Sequence, residues 1–255
     1  MKYCFGSVCW NNYLERYVNT FVNNYITIYK KLLSLGIKKE DIAEPIICYK
    51  NEDVTPLVDA AVKRLQDVTL KKLHLIHIFQ EEYSTQTIMY SMRNKLRENF
   101  KKVYPTEQKV FFYFPMDDKV LPEIGEELFK LGQKKTPSVC MFQFMVKEGQ
   151  NTSWEETVPI RSSKDIDPMH WGGYCAYNIL DEGKCPLYPK IAVPNVAFYI
   201  ELYKAGYDEY MSQDLCVVHL RHLDSHHFKY KDSEMTKKVK EYILNQKEEL
   251  EKKGR

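Results

Sequence analysis

No stretch of the chain approaches the ~18 consecutive apolar residues that a bilayer-crossing helix needs. The apolar opening Met1–Trp10 turns polar at Asn11, too soon for a secretory leader, so a soluble, cytoplasmic protein is expected. There is no C-x-x-C pair. The seven cysteines, at 4, 9, 48, 140, 175, 185 and 216, are odd in number and suggest neither a disulfide framework nor a metal knuckle, which leaves free thiols in a reducing compartment. Nor is there an excess of one charge. With 37 Lys and Arg against 35 Asp and Glu, a net of +2, a nucleic-acid partner held by a basic surface is not expected. Glycine and proline are scarce (10 and 11 residues), and Gly/Ser linkers and internal repeats are lacking. Collagen-like, low-complexity and linker-divided chains are thereby excluded.

What is present suffices for a core. Of 255 residues 44% are hydrophobic, and a domain this long buries roughly three-quarters of its unfolded surface. Tyr3–Cys9 reads as a strand ending in the polar loop Trp10-Asn11-Asn12. From Tyr13 to Leu35, Leu14, Tyr17, Val18, Phe21, Tyr25 and Ile28 recur at helical spacing, closed by Gly36. Strand-like Pro45–Tyr49, Leu73–Phe79 and Lys109–Phe114 then alternate with helix-like Val58–Leu65 and Thr85–Phe100. This alternation predicts an α/β fold, a mainly parallel central sheet with helices on both faces. Further on come a helix over Pro122–Leu131, a long strand over Ser138–Val146, polar loop over 147–170, a helix over Asn195–Ala205 and a strand over Leu215–His219. From Asp232, lysines and glutamates surround Met235, Val239, Tyr242, Ile243 and Leu250, an amphipathic helix. One domain over 1–230 with a C-terminal helical tail over 231–255 follows. The tail reads as a solvated cap or as a surface for a partner or for peripheral contact with an anionic membrane.

Four constellations can carry chemistry. Asp117-Asp118 directly follows the apolar strand Val110–Phe114. Ligands gather at the carboxyl ends of parallel strands, and paired acids there suit Mg²⁺ or Mn²⁺ gripping a phosphate. The plainer reading is an acid pair favouring the dipole of the helix at Pro122. Arg93-Asn94 lies in the preceding helix and taken alone reads as a solvated face. Trp171-Gly172-Gly173 offers close backbone approach beside a flat ring, or simply a turn. His219, His222, His226 and His227 crowd one segment. A zinc site is one reading of them, a single metal or phosphate ligand another, and ordinary histidines a third.

The order of these features resembles the nucleotide-sugar-dependent glycosyltransferases of the GT-A (Rossmann-like) fold, family 2 above all, over about residues 3–222. The resemblance rests on the opening strand and loop Tyr3–Asn12, the pair Arg93-Asn94, and Phe114-Pro115-Met116-Asp117-Asp118 in place of an Asp-x-Asp motif. It also rests on Trp171-Gly172-Gly173-Tyr174, Ala205-Gly206-Tyr207 and Val217-Val218-His219. It implies a metal-dependent enzyme (Mn²⁺ or Mg²⁺) that moves a hexosyl or pentosyl group from a nucleotide-diphosphate sugar to a hydroxyl of a glycan, lipid or protein-linked acceptor. Asp117, Asp118 and His219 would hold the metal. Asn11, Tyr49, Asn51, Arg93, Asn94 and Arg221 would contact the nucleotide sugar, and His170, Trp171, Gly172 and Gly173 the acceptor. Two departures stand out. Pro115 replaces the first Asp of the acidic motif, and Val193-Pro194-Asn195-Val196 replaces the usual Glu-Asp pair. The base must then lie elsewhere, in Asp165, Asp167 or His170 of the preceding loop, with Asp167 ranked first, or in Asp181 or Glu182, unless the reaction retains configuration. A binding module without turnover, a nucleotidyltransferase (disfavoured because no Gly-rich loop follows the first strand), and a zinc hydrolase using the His219–His227 run are the competing readings.

Overall fold

The computed structural model describes residues 1–10, 13–50, 56–78, 88–114, 116–149, 158–162, 175–189, 194–222, 245 and 252. The chain runs β1 (Lys2–Trp10), α1 (Tyr13–Ser34), β2 (Ile46–Lys50), α2 (Pro56–Thr69), β3 (His74–His77), α3 (Ile88–Val103) and β4 (Lys109–Tyr113). It continues β5 (Asp118–Val120), α4 (Glu123–Gln133), β6 (Ser138–Gly149), β7 (Val158–Ser162), β8 (Cys175–Ile179), α5 (Pro194–Lys204) and β9 (Asp208–His222). The strands join in the order β3-β2-β1-β4-β8-β6-β9-β5, with β7 paired to β6. The first four are all parallel, as the alternating pattern predicts. The second half is mixed. β8 lies antiparallel between β4 and β6, β9 runs parallel to β6, and β5 closes the sheet antiparallel to β9.

Side-chain alternation along β1 and β4 sends successive residues to opposite faces. Phe5 meets Tyr25 of α1 edge-on, and Phe114, just past β4, stacks on Phe21 of the same helix at 4.9 Å. On the opposite face Phe111 meets Phe100 of α3, and Tyr177 meets Phe198 of α5. The apolar stripe of α1 is buried from Leu14 to Leu32. Each such side chain contributes roughly 1.5–3 kcal/mol on burial. Gly36, at φ +85°, ends the helix in the left-handed region that favours glycine.

Several elements depart from the sequence expectation. β5 is a strand of three residues, too short for periodicity to reveal. β7 lies within the stretch expected as loop, and β8 has no counterpart in the predicted elements. β9 runs through His219 to His222 rather than ending at His219. The predicted tail helix lies outside the described residues, apart from Asn245 and Lys252.

Charge is buried at the amino-terminal end of β4. Lys109 Nζ pairs with Glu182 at 2.9 Å, and Arg97 of α3 pairs with the same carboxylate at 3.6 Å while donating to the Pro186 carbonyl. Both cations are buried, and Glu182 is half-buried. Breaking a buried pair strands its partner, at about 3–5 kcal/mol. Glu182→Gln is therefore expected to lower stability by about 3 kcal/mol, read by urea unfolding, with any activity per folded molecule unchanged. An equal loss of activity from fully folded protein would place Glu182 in the chemistry after all.

Candidate metal and phosphate site

Three segments meet at the carboxyl edge of the parallel strands. The chain leaves β4 through buried Phe114 and Met116 and reaches Asp117 and Asp118. Ser7 Oγ on β1 donates to the Phe114 carbonyl at 2.7 Å, fixing the exit of that segment. β5 then pairs with β9 so that Asp118 lies directly opposite His219. Directly opposed residues share a face of the sheet, and the two side chains meet, with His219 Nδ1 2.5 Å from Asp118 Oδ1. Asp117, half-buried, completes a group whose ligand atoms lie within 4.8 Å of one another.

Asp118 is fully buried, and its second oxygen, Oδ2, has no hydrogen-bond partner. An orphaned carboxylate oxygen costs free energy unless something else binds it. Burial pushes the Asp118 carboxyl up to about 6. His219 pulls it back down and the like charge of Asp117 adds to the rise. Two carboxylates and one imidazole nitrogen are a hard-to-borderline donor set of the kind that takes Mn²⁺ or Mg²⁺. A divalent cation would give Oδ2 the partner it lacks. The acid pair does not cap a helix, because β5 intervenes before α4 begins at Glu123.

Arg93 is not on a solvated face. It is buried at 1% exposure, with its guanidinium 3.9 Å above the ring of Tyr113 and 5.3 Å from that of Tyr188. Its Nε and Nη1 have no hydrogen-bond partner. α3 can bring Arg93 so close because Gly6 lacks a side chain, and a Cβ there would stand 3.0 Å from Leu96 of the same helix. The Tyr113 phenol is pushed up by burial and drawn down by Arg93, while Asp117 and Asp118 push it up further. Cation and acid pair thus act on a common side chain.

The other expected donor contacts divide. Both ends of the Asn94 amide are engaged by the Tyr188 backbone, at 3.0 and 2.9 Å. Asn94 thereby holds Tyr188 under Arg93 and against Phe198, 3.8 Å away. Tyr49 stands half-buried at the end of β2 with its ring 5.0 Å from His77 at the end of β3. Asp181 and Glu182 follow β8 at the amino-terminal end of β4, a strand length of roughly 15 Å from Asp117. Asn11, Asn51, Asp165, Asp167, His170, Trp171, Gly172 and Gly173 lie outside the described residues, as do His226 and His227. Arg221 and His222 are described only as backbone of β9. Sequence reasoning missed Ser7, Asn24, Tyr113 and Tyr188. Only Asn24 left a signal, a polar residue three after Phe21 on the buried stripe of α1.

No protein-family model matches the chain, and no curated protein matches it in sequence. Among solved structures it is similar in fold to S. aureus TarS, with a TM-score of 0.59 at 13% identity, covering 87% of this chain and 37% of that one. The S. aureus TarS 1–349 structure gives 0.53 at 13% identity, covering 86% and 60%. S. aureus TarS 1–349 in complex with UDP-GlcNAc gives 0.60 at 12% identity, covering 91% and 62%. The chain therefore spans less than two-thirds of the length of each of these structures, and the likeness is one of fold.

Proposed function

We propose that the protein is a metal-dependent glycosyltransferase that moves a sugar from a nucleotide-diphosphate donor to a hydroxyl acceptor. The observation that carries this reading is the buried Asp118 carboxylate, its Oδ2 unpartnered, meeting Asp117 and His219 at the carboxyl edge of the sheet. It is supported by a fold similar to that of TarS, which has been solved with UDP-GlcNAc bound. Asp117, Asp118 and His219 hold Mn²⁺ or Mg²⁺, and the bound cation supplies Lewis-acid neutralisation of the diphosphate leaving group.

The chain's own residues do the rest. Arg93 offers the same diphosphate a buried cation with two donors, Nε and Nη1, still free, and Arg221 adds to it from β9. Tyr49, with Asn11 and Asn51, lines the nucleoside end. His170, Trp171, Gly172 and Gly173 seat the acceptor, with Asp167, or Asp165 behind it, taking the hydroxyl proton. The acceptor oxygen forms its bond to the anomeric carbon as the bond from that carbon to the phosphate oxygen breaks. The nucleoside diphosphate leaves with the electron pair. A cytoplasmic location belongs to the same proposal.

The test is calorimetric titration with Mn²⁺ and then UDP-GlcNAc, followed by assay for released UDP. Because Asp118 must lose a proton to take the cation, and His219 must be neutral to ligate it, Mn²⁺ affinity should rise at least tenfold per pH unit up to about pH 6. Affinity that does not change across that range would remove Asp118 from the site. Metal-dependent binding of the nucleotide sugar without UDP release from any acceptor would instead make the protein a binding module.

A further inference from the structure

β5 is the last strand of the sheet, and it carries a proposed metal ligand as its first residue. Its inner edge is paired to β9, where the register sets Lys119 opposite Val218 and the Leu121 N–H donates to the Cys216 carbonyl at 2.8 Å. Backbone groups of a strand alternate between its two edges. The Asp118 carbonyl and the Val120 N–H therefore point the other way, where no further strand lies among the described residues. A single side chain meets both. Asn24, buried at 3% exposure on α1, donates from Nδ2 to the Asp118 carbonyl at 2.6 Å and accepts at Oδ1 from the Val120 N–H at 3.1 Å. An amide side chain presents one donor and one acceptor side by side, so Asn24 takes the place of a neighbouring strand.

We infer that Asn24 is a positioning residue that holds Asp118 in the orientation needed to bind the metal. The inference rests on the metal reading given above and goes beyond it. A three-residue edge strand fixed by β9 alone can twist or slide. The Asp118 carboxylate would then leave the position opposite His219. Groups that orient a metal ligand typically change affinity by 10–100-fold when removed.

The experiment is Mn²⁺ titration followed by electron paramagnetic resonance on the full chain, with thermal unfolding of each variant alongside. Asn178→Ala is a matched control. Asn178 is also a buried Asn bridging two backbone groups, accepting from Ser138 N–H at 2.7 Å and donating to the Thr136 carbonyl at 3.0 Å, but at the amino-terminal end of β6. Asn24→Ala is expected to weaken Mn²⁺ binding at least tenfold. Asn178→Ala should destabilise comparably yet leave Mn²⁺ affinity within about twofold. If Asn24→Ala does not fold, Asn24→Ser, whose hydroxyl ends one bond short of both backbone groups and can meet them through a water, should fold and show at least a several-fold loss. Wild-type affinity in folded Asn24 variants, or an equal loss in both Asn→Ala variants, would overturn the positioning role alone. A wild-type chain that takes up no Mn²⁺ would overturn the metal reading and this inference with it.

Discussion

Asp118→Asn is expected to abolish Mn²⁺ binding and to lower nucleotide-sugar turnover by at least ~10³-fold, about 4 kcal/mol of barrier, while leaving the metal-free protein as stable as the wild type or more so. The two effects have opposite signs for one reason. Burial in an apolar setting disfavours the Asp118 carboxylate and holds its titration at about 6 rather than 3.8. The folded state thus favours the protonated acid. The stability that this group contributes is full below pH 4 and is lost as pH rises through 6. Above pH 6 the metal-free wild type carries a penalty on the order of 3 kcal/mol. Asn has the shape of the protonated acid and escapes it. Thermal unfolding with chelator should therefore show the variant gaining on the wild type between pH 4 and 7, and matching it at pH 4. With Mn²⁺ present the order reverses, because only the wild type is stabilised by a bound cation. A variant less stable than wild type at pH 8 in chelator would mean that the Asp118–His219 contact, rather than cation binding, is what the acid is for.

The sequence showed much of the scaffold and little of what fixes the site. The parallel half was legible because β1, β2 and β4 are covered on both faces and α1 carries a long apolar stripe in which Asn24 is the polar exception, so hydrophobic period and burial largely coincide. The second half was not. β5 has three residues, β8 pairs antiparallel in a stretch where the pattern predicts no element, and β7 lies in a stretch without apolar period. Asp117, Asp118 and His219 could be singled out by residue type. That Asp118 and His219 face each other is a matter of β5–β9 register, which no local pattern encodes. Arg93 shows the opposite failure. Charges follow it closely along the helix, at Lys95, Arg97 and Glu98, so Arg93 looks solvated until Tyr113 and Tyr188 are placed around it. Tyr188 comes from a loop held by the Asn94 amide and by Arg97 at the Pro186 carbonyl, contacts far apart in sequence.

Arg93→Met separates a structural cation from a working one. A buried charge replaced by an apolar side chain of similar length is often neutral or stabilising. The stacking on Tyr113 and Tyr188 lost with it is worth about 1–2 kcal/mol. Stability should therefore stay within about 1 kcal/mol of wild type. Turnover of a nucleotide-diphosphate sugar should fall by about 10²-fold or more, because a preorganised cation in a dry site stabilises a diphosphate leaving group far more than one in water does. Mn²⁺ binding in the absence of nucleotide should be unaffected, because the charges that act on the Asp118 carboxyl are those of His219 and Asp117. Arg93→Lys should not rescue activity, because an ammonium lacks the planar face that lies on Tyr113 and presents a point charge elsewhere. The opposite pattern, reduced stability with activity per folded molecule intact, would assign Arg93 to packing. Its unpartnered Nε and Nη1 argue against that pattern. A guanidinium kept for packing alone gains nothing from two buried donors without acceptors, whereas one that meets a diphosphate has its acceptors delivered by the substrate.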